Sequence, residues 1–527
     1  MMHPPKKQPP QELIFSLNNN QHGRCYLVGA GPGDPGLLTL RAQECLTRAH
    51  VVLYDYLCNA ELLDHAPNSA EKIYVGKSAS NHALTQEEIN ALLVEKTKKG
   101  LTVVRLKGGD PFLFGRGGEE AEALAQAGLY FEVVPGVTSA IGGLAYAGIP
   151  VTHRDSNSQL TIFTGHEDPK KEGSSLNFHS LAHAPGTKVM LMGIERLASI
   201  SASLISAGME ERTPVALVRW ATTGRHQTMT GTLANIANLA KEAQFSAPAI
   251  AVFGEVVHLH KKLNWFEKRP LFGRKIAVTR TREQASKLMY ALRELGADAY
   301  ELPTIRIEKA QKEEEQAMLQ EIITDVHQYD WIIFTSPNGV TFFFEEFFKR
   351  YQDARSLGAL RLAAIGPSTA EKIREYRFSV DLLPPEFIAE SLLEEFRKIG
   401  VENLRILLPR AREAREFLVT ELQNLGAIVD DLPLYCTLPE LEEKKGLQRF
   451  FREGADLITF TSGSTAEHFQ TLLKKRGVSF PKNCITASIG PQTSSVMKKV
   501  GIDVQLEAKQ HDIPGLLEVI LNYFTSP

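Results

Sequence analysis

A chain of 527 residues is too long for a single hydrophobic core, so two to four domains are expected. Its hydrophobic content of 43% and charged content of 23% are those of ordinary globular protein, and a net charge of −3 gives no global basic field of the kind that holds nucleic acid. No apolar run approaches the roughly 20 residues needed to cross a bilayer, which excludes a membrane-spanning helix.

The opening stretch, residues 1–23, is rich in Pro, Gln and Asn and has neither the apolar segment nor the cleavage site of a signal peptide, so a disordered tail is expected. Cys25, Cys45, Cys58, Cys436 and Cys484 are scattered, with no C-x-x-C pair and no ligand spacing to histidine. Reduced structural thiols, no metal site and a cytoplasmic location follow as expectations. From residue 25 onward short β-branched runs (CYLVGA, HVVLYDYL, LTVVRLKG, YFEVVPG, LTIFTG, KVMLMG, PVALVRW, PAIAVFG) alternate with helical patterns. That rhythm indicates α/β layers with largely parallel sheets.

Residues 26–36, YLVGAGPGDPG, place Gly31, Gly33 and Gly36 at G-x-G-x-x-G spacing, with Asp55 19 residues beyond. This is close to a dinucleotide fingerprint, and an NAD-dependent oxidoreductase is one reading. Pro32 and Pro35 oppose it, because each removes an N–H from the turn that should cradle pyrophosphate. Asp55 reads equally well as a strand-end carboxylate facing a cleft. A second loop, VVRLKGGDPFLFGRGGEE at 103–120, again follows an apolar strand, and its Asp110 would repel phosphate and attract a cation. A ligand wedged between two backbone segments fits better. His153-Arg154-Asp155 imitates a kinase catalytic loop, but Leu160 stands where that motif needs Asn and no D-F-G follows.

A charged, aromatic stretch around 263–273 reads as a linker. Beyond it the chain repeats itself. The segment from Lys275 matches that from Arg405, Tyr329 onward matches Ala455 onward, and the turn at Gly366 matches that at Gly490, at offsets of 130, 126 and 124 residues. A duplicated α/β lobe is the simplest cause. Each copy carries polar turns (TSPN and TSGS, IGPST and IGPQT) where a strand should hand over to a helix, and exposed helix N-termini there suit an anionic ligand.

The motifs VGAGPGDPGLLTL, VVLYDYL, YVGKSAS, VRLKGGDPFLFGRGGEE, VVPGVTSAIGGLAYAGIPVTHRD and KLNWF resemble, in order over residues 24–266, the uroporphyrinogen-III C-methyltransferases of the tetrapyrrole methylase superfamily. VTRTREQASKLMYAL, FTSPNGV, IGPSTA, PLYCT and FTSGST resemble uroporphyrinogen-III synthase. Nothing ahead of residue 24 resembles the dehydrogenase-ferrochelatase segment of trifunctional sirohaem synthases. The fold class implied is α/β throughout: a two-domain tetrapyrrole methylase fold, residues 24–262 with subdomains 24–135 and 136–262, followed by a bilobal synthase fold, residues 274–527. Its two similar lobes would be 274–307 plus 437–527, and 311–433.

The resemblance implies S-adenosylmethionine as cofactor, held by Pro32, Gly108, Gly109, Asp110, Leu113, Thr138, Ser139, Met192 and Ala221. Relatives often have Thr-Ala where this chain has Thr138-Ser139, a change that a backbone contact tolerates. Asp55 and Lys77 match the family's proton acceptor and donor. The implied substrate is an octacarboxylate, for which Arg105, Lys107, Arg116, His153 and Arg154 are candidate cations. For the synthase half, which cyclises hydroxymethylbilane without a cofactor, the candidates are Ser336, Asn338, Ser368, Ser462, Ser464 and Thr493 on the turns, with Tyr435 as proton or hydrogen-bond donor. Methylation at C2 and C7 and a homodimer through the methyltransferase half are also implied. A methylase with a non-catalytic tetrapyrrole-binding second half remains an alternative, and whether the pathway ends in sirohaem or cobalamin stays open.

Overall fold

A computed structural model describes residues 23–76, 84–166, 176–279, 282–309, 312–440, 445–481 and 483–526. The expected tail, except Gly23, and Lys77 lie outside the described residues.

The first sheet contains β1 (Arg24–Gly29), β2 (Val51–Tyr54), β3 (Glu71–Tyr74), β4 (Thr102–Lys107) and β5 (Tyr130–Val134), in the order β3-β2-β4-β1-β5 with every neighbour parallel. Alternate residues of β1 feed two cores. Cys25 and Leu27 pack with Val51, Leu53, Val103 and Leu124, while Tyr26 and Val28 pack on the opposite face with Leu46, Val52 and Val104. A sheet buried on both faces requires such continuous apolar runs. The chain leaves β1 toward β2 and leaves its neighbour β4 toward β5, in opposite directions across the sheet. Ligand crevices open at such a switch point, beyond the carboxyl ends of the strands.

The second sheet contains β6 (Leu160–Thr164), β7 (Thr187–Leu191), β8 (Pro214–Arg219), β9 (Gln227–Thr232) and β10 (Ala249–Phe253), ordered β6-β7-β10-β8-β9. Here the expectation of a parallel sheet fails: only β6 and β7 are parallel, and the other three pairings are antiparallel. The connection from β8 to β9, residues 220–226, is too short for a crossover helix and forces an antiparallel return. The stretch beyond this sheet, expected as a linker, is packed. Trp265 and Phe266 lie 5.0 and 4.9 Å from Tyr146, ring centroid to centroid, and Trp265 Nε1 donates to Ala145 O.

The remaining strands are β11 (Lys275–Val278), β12 (Asp298–Glu301), β13 (Ile305–Lys309), β14 (Trp331–Phe334), β15 (Arg361–Ala364), β16 (Arg405–Ala411), β17 (Ile428–Pro439), β18 (Leu457–Phe460), β19 (Ile485–Ser488) and β20 (Leu506–Glu507). They form two sheets, β12-β11-β18-β19-β20 and β13-β17-β16-β14-β15. The repeat explains both. β12, β11, β18 and β19 correspond one for one to β17, β16, β14 and β15, and the β19–β20 pair Ala487↔Leu506 corresponds to the isolated bridge Ala363↔Leu382, each residue 124 positions on. The added strand β13 pairs antiparallel with β17, with Ile307 opposite Thr437, so the segment entering the second lobe and the one leaving it form one ladder. Two compact units emerge from the chain's contacts, one reaching Lys275 and including Ala291–Ala299, the other taking Ile276–Tyr290 and Tyr300–Ser526.

Candidate functional site

The two glycine loops emerge from β1 and β4 side by side and bind each other. Gly31 N donates to Gly109 O at 3.2 Å and Gly109 N to Gly31 O at 2.8 Å, a two-bond antiparallel bridge. Both residues have positive φ, +75° and +69°, the region glycine enters without strain. Three more donors of the first loop are also engaged: Asp34 N with Thr222 Oγ1, Gly36 N with Asp34 Oδ1, Leu37 N with Asp34 O. Pro32 and Pro35 have none. Only a one-turn 3-10 helix, Pro35–Leu37, follows, and the α-helix Leu40–Thr47 begins under its own cap, Thr39. A pyrophosphate would find almost no amide to bind, so the dinucleotide reading of this loop falls.

The helix Ser139–Tyr146 gathers the expected cofactor contacts. Thr138 caps it, accepting from Ala140 N at 3.3 Å. Gly142 lies against Pro32, and Gly143 against Ala221; a Cβ added at these glycines would stand 3.3 Å from Pro32 Cγ and 2.9 Å from Ala221 Cβ. Leu113 packs on the cluster containing Ala140, Leu144 and Ala221. Ser139 is half-buried in the first turn. Gly108 abuts Leu57, and Asp110 ties two loops together, accepting from Phe112 N at 2.8 Å and from Gly136 N at 3.0 Å. Met192 follows β7, a strand of the same core, and is 52% exposed. Among the described residues eight non-glycines have positive φ, and five of them (Phe114, Arg116, Met192, Trp220, Thr222) sit in the loops after β4, β7 and β8. Such backbone conformations collect at functional sites.

Asp55 ends β2. Its Oδ1 accepts from Leu57 N and the Cys58 thiol, and its Oδ2 lies 3.4 Å from Arg105 Nη2. Arg105 and Lys107, taken from the sequence as candidate substrate cations, are instead buried, each 4% exposed. Both hold Glu120, fully buried, at 3.0 and 2.8 Å. Burial and the neighbouring Arg105 push the Lys107 ammonium down, against the pull of Glu120. They sit in alternate register on β4, pointing inward, which their charge conceals in the sequence. Arg116 pairs with Glu119 at the surface, and His153 stands 4.0 Å from Asp155. Sequence reasoning missed Asp34, Tyr146, Thr222 and the pair of exposed Tyr56 and half-buried Trp220, whose ring centroids are 5.8 Å apart. Of these only Asp34 carried a signal, as the turn-capping acid of G-D-P-G.

In the carboxy-terminal half Ser336 caps the helix Pro337–Arg350, accepting from Gly339 N at 3.1 Å, and shares a 2.8 Å hydrogen bond with the hydroxyl of Tyr435. The Tyr435 ring is buried, and its centroid lies 5.4 Å from that of Phe342. Burial pushes the phenol up, so it is a protonated donor at neutral pH. Asn338 is half-buried in the same first turn. Ser462 caps the equivalent helix Gly463–Arg476 and lies 3.0 Å from Ser464, oxygen to oxygen. Ser368 is exposed at the start of Pro367–Glu375. Thr493 is 5% exposed, and its repeat counterpart Thr369 is buried likewise. The exposed position matching Ser368 is Gln492.

Residues 24–237 match the family model for tetrapyrrole (corrin/porphyrin) methylases, and residues 286–518 that for uroporphyrinogen-III synthase HemD. The porphyrin biosynthesis protein HemD of Ruminiclostridium josui is 39% identical over 505 residues, 95% of this chain and 98% of that protein. The chain belongs to the tetrapyrrole methylase and uroporphyrinogen-III synthase families. An S-adenosyl-L-methionine-dependent uroporphyrinogen III methyltransferase of Methanosarcina barkeri is 54% identical over 242 residues, 46% of this chain and 95% of that protein. A solved uroporphyrin-III C-methyltransferase of Thermus thermophilus, complexed with S-adenosylhomocysteine, is 42% identical and covers 45% of this chain and 100% of its own, with a TM-score of 0.40.

Proposed function

We propose that this bifunctional tetrapyrrole enzyme cyclises hydroxymethylbilane to uroporphyrinogen III through residues 274–527 and methylates that product at C2 and C7 through residues 24–262, giving precorrin-2. S-adenosylmethionine, when bound, supplies a methyl group on a positively charged sulfur. The residues fit such a ligand: where a Cβ of Gly109 would stand, the nearest atom is Thr138 Cα at 3.9 Å, so the glycine leaves room beside the helix cap. Pro32, Gly108, Gly109, Thr138 and Ala221 would hold it by shape and backbone, and the Asp110 carboxylate places negative charge in the loop. Asp55 would accept the proton released after carbon methylation and Lys77 would donate one. In the other half Tyr435 would donate a hydrogen bond or proton to the substrate, with Ser336 orienting its hydroxyl. A cytoplasmic setting fits five free thiols. A homodimer through the amino-terminal half would cover the exposed Leu40 and Ile141, and sedimentation of the chain checks it.

The observation that carries the methyltransferase reading is the Gly31–Gly109 bridge, which engages one amide of each glycine loop that a diphosphate would otherwise find free. Calorimetric titration of the full chain with S-adenosylmethionine and with NAD tests it. Saturable binding of the sulfonium compound with no heat from NAD is expected; NAD binding alone would overturn the reading.

A further inference from the structure

The segment Asn264–Phe272 lies beyond the residues matched to the methylase model, yet it is built into that half. Trp265 donates to Ala145 O and packs its ring on Tyr146; Phe266 packs on Tyr146 from 4.9 Å. Arg269 lies 4.9 Å from the ring centres of both Trp265 and Phe266. His260 Nδ1 lies 2.6 Å from Ala147 O, fixing the end of the same helix.

Tyr146 transmits this packing to one residue. Its hydroxyl donates to Asp34 Oδ2 at 2.6 Å, across 112 residues of sequence. Asp34 Oδ1 accepts from Gly36 N at 2.8 Å, and Asp34 N donates to Thr222 Oγ1 at 3.0 Å. Asp34 therefore fixes the glycine loop between the first sheet and the loops of the second. Burial first, and the Asp34 carboxylate next, push the phenol far up, so it remains a donor at any working pH.

We infer that Tyr146, seated by Trp265 and Phe266, is a positioning residue for the cofactor: it holds Asp34, and through it the Pro32–Gly33 turn, in the shape that receives S-adenosylmethionine. This rests on the methyltransferase reading of the amino-terminal half. A charge-assisted hydrogen bond to a carboxylate is the kind whose loss lowers affinity measurably.

The test compares full-length wild type, Tyr146→Phe, Asp34→Asn and the double variant, using S-adenosylhomocysteine in calorimetry and uroporphyrinogen III as methyl acceptor. Tyr146→Phe keeps the ring in its aromatic seat, so the fold should survive; if Asp34→Asn does not fold, the Tyr146→Phe arm decides alone. Dissociation constants roughly tenfold higher in each single variant, no further loss in the double, and a KM for uroporphyrinogen III within about twofold of wild type are expected. Trp265→Ala should shift cofactor affinity in the same direction. Wild-type affinity in Tyr146→Phe, additive losses, or parallel weakening of both ligands with a lowered melting temperature would overturn the inference. A wild-type chain that binds no S-adenosylhomocysteine would refute the underlying methyltransferase reading itself.

Discussion

Glu120 is the residue on which the interior of the first sheet depends electrostatically. It is fully buried, it faces Arg105 and Lys107, and its second oxygen has no hydrogen-bond partner among the described residues. Removing one member of a buried charge group leaves its partners uncompensated, so Glu120→Ala should lower the unfolding free energy by about 3–5 kcal/mol in urea titration. Asp55 shares Arg105 with it, and methyl transfer should fall in parallel. Tyr435 invites the opposite expectation, a large functional effect from a small structural one. Tyr435→Phe should reduce hydroxymethylbilane turnover on the order of 10²-fold, the scale of a lost proton donor, while costing only about 1 kcal/mol of stability. Turnover equal to wild type would make the hydroxyl a core group serving Ser336 alone. The sequence named Tyr435 and Ser336 separately, 99 positions apart, and only the fold joined them.

At the scale of elements, the meeting of three loops sets the tolerance of the site. A Cβ on Gly136 would stand 2.3 Å from Gly109 O and 2.7 Å from Gly29 Cα, all backbone, so Gly136→Ala should destabilise by about 1–3 kcal/mol and weaken cofactor binding with it. The packed segment after the second sheet has its own pH signature. Burial would raise Glu267, but His226, Thr228 and Asn264 outweigh it and hold the carboxyl at about 2, against an ordinary 4.5. Its folded value is depressed, so its contribution, on the order of 2–3 kcal/mol, is fully present above pH 4.5 and is lost as pH falls toward 2. Glu267→Gln should flatten the acid limb of the stability curve in that window. The glycine loops were legible because glycine and proline state their backbone needs in the sequence. β3, reading EKIY, and β9, reading QTMTGT, were not, since edge strands with few apolar residues give no alternation to detect. The burial of Thr493 beside the exposed Gln492 was not legible either: the turn motif repeats, but which residue of a first helical turn faces inward is decided by packing.

Across the whole molecule, duplication and exchange explain the second half. The first copy's opening unit, β11 and β12, completes the sheet of β18, β19 and β20, while the second copy's, β16 and β17, completes that of β14 and β15. The count of the repeat foretold two similar lobes, because each unit alone leaves a sheet edge and an apolar face uncovered. The packing of residues 263–273 was hidden, because Lys, Arg, Trp and Phe in a short stretch look the same whether they tether two domains or clamp one. Joining the two families in one chain has a chemical rationale, since the product of the synthase reaction is the acceptor of the methyltransferase reaction. Incubating the full-length chain with fresh hydroxymethylbilane and S-adenosylmethionine, then identifying the tetrapyrrole by mass and isomer, tests both activities at once. A type III macrocycle carrying two added methyl groups is expected; only the spontaneously closed type I isomer, or an unmethylated product, would contradict the assignment of one half or the other.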